Sequence, residues 1–165
     1  MVGLLMLLAL AGCVTASTID ASAPPPGGVV ALRVEGCVDR THTQGRDLGA
    51  EATKAFIEAL GKSQSLRVDP AAPYTLTCDV SGFAEGSALK RWLLPGWGAT
   101  VGEVAVMVTD TRSGVTVLIA RGSATVGSGG LYTIGADSYI LPTAVKDVVG
   151  KIEAWAGGKP QAVVR

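Results

Sequence analysis

Residues 101–126 read VGEVAVMVTDTRSGVTVLIARGSATV. This stretch decides the fold. Two runs rich in β-branched residues, Val101–Thr111 and Val115–Val126, flank Thr111-Arg112-Ser113-Gly114. Small polar residues and a glycine between two such runs make a hairpin turn, with Gly114 free to take positive φ. A long antiparallel hairpin has a face to bury, so the rest of the chain must supply a covering layer.

Toward the C-terminus, Gly127-Ser128-Gly129-Gly130 reads as a flexible loop. A helix is expected over Ala136–Ala156, with Val145, Val148, Val149, Ile152 and Trp155 on one apolar stripe. Pro142 belongs in its first turn or marks a later start, because proline lacks the N–H an interior position needs. Gly157-Gly158 ends the helix, and residues 159–165 are expected to fray.

Toward the N-terminus, YTLTCDVSGF (Tyr74–Phe83) alternates Tyr74, Leu76, Cys78 and Val80 against Thr75, Thr77 and Asp79, the period of a strand. Ser65–Val68 is a short strand ended by Asp69-Pro70. Leu48–Leu60 carries Leu48, Ala52, Ala55, Phe56, Ala59 and Leu60 on a helical stripe, with Asp47 as N-cap and Glu51 in the first turn. Val29–Val38 is a strand with Val30, Leu32, Val34 and Val38 on one face and Arg33 and Glu35 on the other. The expected order is β-α-β-β-β-β-α. That is an α+β two-layer sandwich in one domain, residues 29–158, with two helices on one face of a largely antiparallel sheet of about five strands. The first β-α-β unit can pair its strands in parallel.

The chain opens MVGLLMLLALAGCVTAS. Val2–Ala11 is too short to span a bilayer as a helix and has the length of a signal-peptide core. It ends in Leu10-Ala11-Gly12-Cys13, which resembles the bacterial lipobox. That resemblance implies that residues 1–12 are a signal peptide and that Cys13 is lipidated. Several acyl chains on one residue give stable anchoring. Val14 after Cys13 resembles an outer-membrane address. The small, Pro-rich residues 14–28 read as a flexible tether from lipid to domain, with a helix or strand unlikely there.

Lys+Arg and Asp+Glu both number 14, so the net charge is zero. No basic excess points to nucleic acid. The only histidine, His42, rules out a multi-His metal site. No G-x-S-x-G, P-loop, G-x-G-x-x-G or H-E-x-x-H occurs, so no catalytic residue, metal or cofactor is assigned. Cys37, Asp39 and His42 lie close together, but nothing in the sequence orients His42 as a base for a thiol nucleophile. Cys37 and Cys78 form an even pair suited to an oxidising compartment. Simple alternation sets them on opposite faces, which disfavours a disulfide. A bulge at Gly36 could turn Cys37 inward.

The run ALKRWLLPGWGAT (Ala88–Thr100) holds two of the three tryptophans. Three readings compete for it: core that folds over the sheet, an exposed patch for a partner protein, or a membrane contact. The contact candidates are Lys90, Arg91, Trp92, Leu93, Leu94 and Trp97. Trp92 follows Leu89 at i,i+3 spacing and is expected inward; Trp97, between Gly96 and Gly98, is expected outward.

This Arg-Trp run after a GFAEG strand end, the long hairpin, the Gly-rich loop and the last helix together resemble the bacterial family called domain of unknown function 4410, over roughly Val29–Trp155. The resemblance implies an envelope lipoprotein and no chemistry. The expectation is a non-enzymatic, lipid-anchored protein on the periplasmic side of the outer membrane that binds an envelope partner in assembly. The alternative is a small-molecule or lipid binder using the sheet face beneath the apolar run; a hydrolase or thiol enzyme stands third.

Overall fold

The computed structural model describes residues 13–21, 28–94, 97–127 and 133–158. The expected signal peptide, the tail 159–165 and most of the Gly127–Gly130 loop lie outside the described residues. The hairpin forms as expected, from β6 (Thr100–Asp110) and β7 (Thr116–Val126), with Gly114 at φ 70° in the turn. The turn is closed by Gly114 N donating to Asp110 O at 2.8 Å and Asp110 N donating to Val115 O at 2.9 Å. On β6 every second residue is buried, Val104, Val106 and Val108 among them, while Glu103 and Met107 face water.

The remaining strands are β1 (Val14–Ala21), β2 (Val30–Val34), β3 (Val38–Asp39), β4 (Leu66–Val68) and β5 (Tyr74–Ala84). The helices are α1 (Leu48–Gly61), α2 (Ala88–Leu93) and α3 (Ala136–Ala156). The sheet order is β1-β7-β6-β5-β2-β4, with β3 also on β5. β1, β7, β6 and β5 are antiparallel neighbours. β2 pairs in parallel with both β4 and β5, so the first β-α-β unit is the parallel part.

Both long helices pack on one face, as expected. Phe56 and Leu60 of α1 and Ile140, Val145, Val148 and Ile152 of α3 join Leu32, Leu76, Val106 and Leu118 of the sheet in one buried cluster. Burying each such side chain contributes about 1.5–3 kcal/mol. Asp47 caps α1 through a 2.9 Å hydrogen bond from Ala50 N. Pro142 corrects the expectation for α3: the helix begins at Ala136, and the proline sits past its first turn.

The expectation of about five strands and two helices gives way to seven and three among the described residues. One addition is β1. The segment expected as an unstructured tether forms, over Val14–Ala21, eight residue pairs with β7. Ile19 is its one buried side chain and joins the core. The rest of the expected tether, 22–27, lies outside the described residues. The second addition is α2, in the tryptophan run.

The third change splits the first strand and makes the disulfide. Val34 pairs with Leu76 and Val38 with Asp79. Four steps on one strand therefore match three on the other, and the extra residue reverses which face Cys37 occupies. Cys37 comes to lie beside Cys78, their Cα atoms 4.6 Å apart, and the two form a disulfide. The expectation that they stay unbridged is overturned, because strict alternation does not survive a bulge. Cys37 N donates to Thr53 Oγ1 at 2.8 Å, which ties the break to α1.

Candidate functional site

The tryptophan run is a closed loop on a short helix. Ser87 caps α2, its hydroxyl accepting from Lys90 N at 3.4 Å. Arg91 N donates to Ser87 O and Leu94 N to Lys90 O, both at 3.0 Å. The chain then doubles back: Trp97 N donates to Leu94 O at 3.0 Å and Ser87 N to Gly98 O at 2.9 Å. Gly98 has φ +75°, and a Cβ there would lie 2.7 Å from that of Lys90. The loop can close this tightly only on glycine.

Arg91 holds the loop to the sheet. The residue is 4% exposed. Nη1 donates to Gly98 O at 2.8 Å and to Thr100 Oγ1 at 2.9 Å. Nε donates to Thr133 Oγ1 at 2.9 Å and Nη2 to Thr133 O at 3.0 Å. The planar fork thus reaches the loop, the first residue of β6 and the segment before α3 at once, which a lysine could not do. A Cβ on Gly86 would fall on Nη1 and on the Thr100 hydroxyl, so a glycine there leaves the guanidinium its space. Among the described residues Arg91 makes no ion pair.

This reverses two expectations. Arg91, a contact candidate, is buried and works as a brace. Trp92, expected inward, is 62% exposed. Leu89 and Trp92 do share a face, but it points to solvent. Position 91 takes the inward face of this six-residue helix, and the run of apolar residues on either side of it stays out. Trp97 is 50% exposed, as expected, and Leu89, Leu93 and Leu94 are exposed with it. Lys90 Nζ stands 5.6 Å from the centroid of the Trp97 ring. Ile134, beside the braced Thr133, adds another exposed apolar side chain. Sequence reasoning missed Ile134 and the role of Thr133, since contacts forty residues apart leave no local signal.

A second arginine, Arg46, steadies the same end of the molecule. Its guanidinium sits 4.6 Å from the Phe83 ring centroid, pairs with Glu51 and with Glu85 at 3.7 Å, and donates to Asp137 O at 3.2 Å. The Glu51 hydrogen bond holds its pKa above the ordinary arginine value, against a partial loss of hydration.

Cys37, Asp39 and His42 do not form a nucleophile. Cys37 is bridged to Cys78. The Asp39 carboxylate accepts from Thr41 N and Thr41 Oγ1, both at 2.7 Å. Burial raises the pKa of Asp39, but these hydrogen bonds outweigh it and leave the group below the ordinary carboxylate range. Cys13 carries an exposed free thiol, its pKa raised by partial burial and only partly lowered by a backbone hydrogen bond at Thr125. An open groove of 660 Å³ between α1 and α3 is lined by residues of both signs, among them Lys54, Glu58, Lys146 and Glu153. None of its lining residues belongs to the tryptophan run.

No protein-family model matches the chain, and no curated protein matches it. Solved structures share its fold. A leucine-to-methionine form of the PelC dodecamer from Paraburkholderia phytofirmans is 18% identical, with 90% of this chain and 100% of that chain covered and a TM-score of 0.59. The hypothetical protein CT253 from Chlamydia trachomatis is 12% identical over 77% of this chain and 98% of its own, with a TM-score of 0.53. Weaker in likeness is lipoprotein GNA1162 from Neisseria meningitidis, 16% identical over 74% of this chain and 97% of its own, with a TM-score of 0.47. No described helix is long and apolar enough to cross a membrane.

Proposed function

We propose that this chain is a lipid-anchored envelope protein, held at Cys13 on the periplasmic side of the outer membrane, that acts as a non-enzymatic assembly module. One observation carries the reading: five apolar side chains, Leu89, Trp92, Leu93, Leu94 and Trp97, stand exposed on a loop that Arg91 fixes from behind. An apolar surface on a braced loop loses little conformational freedom on contact, which suits a surface that docks the domain onto another component of the envelope, lipid or protein. The Cys37–Cys78 disulfide agrees with an oxidising compartment. The lipobox-like Leu10–Cys13 supplies the anchor. The resemblance to domain of unknown function 4410 points to the same compartment. PelC is a dodecamer, which supports association with further copies as the form of assembly.

Labelling cells with a fatty acid tests the anchor. Wild-type protein takes up label and sediments with membranes, and Cys13→Ala does neither. Native mass of the detergent-extracted protein tests the assembly. An unlabelled protein in the soluble fraction, or a monomer at every concentration, sinks the corresponding part.

A further inference from the structure

We infer that the exposed apolar loop, Ala88–Leu94 with Trp97, lies on the lipid bilayer that receives the acyl chains of Cys13. This rests on Cys13 being the anchor and adds what the loop touches. The sheet register sets the geometry. Val14 pairs with Thr125, Thr125 with Val101, and Val101 with Ala84. These four residues form one row across β1, β7, β6 and β5. Cys13 is the residue before that row, and the tryptophan loop spans the chain between Ala84 and Val101. Anchor and loop therefore leave the same end of the sheet. At about 4.8 Å per strand, two to three strands separate them by roughly 10–15 Å.

The anchor also has no slack. A tether would let the domain tumble tens of Å above the lipid. Here the strand begins at Val14, directly after Cys13, and stays paired through Ala21. Acyl chains on Cys13 draw this end of the sheet to the headgroups, and the exposed side chains of the loop arrive with it.

The loop has the chemistry of that depth. Tryptophan rings favour the interface between headgroups and acyl chains, and leucines reach below it. Lys90, exposed and stacked against Trp97, stands where it can meet a phosphate. Among the described residues Lys90 is the one exposed cation of the loop: Arg46 is paired with Glu51 and Glu85, and the Arg91 charge is buried. Attraction to anionic lipid is therefore weak, and insertion of apolar side chains drives the contact.

The test uses the chain from residue 13 onward with Cys13→Ser. Among the described residues every core side chain lies between Ile19 and Ala156, so this chain keeps that core. It is mixed with phosphatidylcholine vesicles whose acyl chains are brominated, and tryptophan fluorescence is followed in variants that keep a single ring. Trp92 and Trp97 are expected to be quenched and Trp155, buried on the inner face of α3, to stay bright. High salt should change little. Trp92→Ser with Trp97→Ser should weaken vesicle binding by about tenfold or more with the circular dichroism unchanged. No quenching of Trp92 or Trp97, or equal binding by the double variant, overturns the inference. So does a loop that stays bright on vesicles yet crosslinks to an envelope protein in cells, which would assign it a protein partner. Failure of fatty-acid labelling in cells with the vesicle result intact would remove the anchor alone.

Discussion

Arg91 is the residue of the tryptophan loop whose replacement should be felt most. Its guanidinium makes four hydrogen bonds, all between 2.8 and 3.0 Å, from a residue 4% exposed. Two opposing effects set the magnitude. A buried guanidinium without a carboxylate partner has lost hydration worth several kcal/mol, and removing it returns that. Removing it also strips its acceptors. The Thr100 and Thr133 hydroxyls can rotate to other partners, and Gly98 O keeps its bond from Ser87 N. Each hydrogen bond lost from the charged group still contributes about 1.5–3 kcal/mol. With the charge gone as well as the bonds, Arg91→Met should lose about 2–4 kcal/mol, a large share of the 5–15 kcal/mol typical of a domain. Arg91→Lys should lose nearly as much, because one ammonium cannot reach acceptors on three segments. Urea unfolding of the residue-13 chain, read by circular dichroism, measures both. A loss below about 0.5 kcal/mol for Arg91→Met, the size of an ordinary surface change, would refute the idea that this guanidinium braces the loop.

The exposed ring next to it should behave oppositely: Trp92→Ala is expected to shift the thermal midpoint hardly at all, since Trp92 is 62% exposed and surface changes stay within about 0.5 kcal/mol. The disulfide closes a loop with a sequence separation of 41. Reduction, or Cys37→Ala with Cys78→Ala, should cost about 4 kcal/mol by the chain-entropy relation, and mass spectrometry after alkylation without reduction should recover the linked peptides. Ile19 fixes β1 to the core, so Ile19→Ala should cost about 2–4 kcal/mol and speed proteolysis between Cys13 and Ala21. The folded-state pKa of Asp39 is lowered, so its contribution is present above the unfolded carboxylate pKa and is lost as pH falls through the lowered value. Asp39→Asn should flatten the acid limb of a stability–pH curve, and an unchanged limb would count against those Thr41 hydrogen bonds.

What the sequence disclosed followed from side-chain periods. The hairpin, α1 and α3 each carry enough apolar residues at a fixed spacing that one face had to be buried, and those faces are the ones the core uses. The failures have one cause in common: the pattern was too short to say which way it faced. In β1 the only buried side chain is Ile19, so burial left no alternation, and the strand is specified by backbone pairing along the edge of β7. Between Val34 and Val38 one added residue inverted the face of Cys37, and the signal for it was a single glycine at position 36. In α2 a helical spacing of Leu89 and Trp92 identifies a shared face but not its direction. Direction was decided by acceptors that only the fold assembles, the carbonyls of Gly98 and Thr133 and two threonine hydroxyls. An arginine can satisfy them and a tryptophan cannot. The charged residue therefore went in, and the aromatic ones were left at the surface, on the side of the molecule where the chain emerges from Cys13.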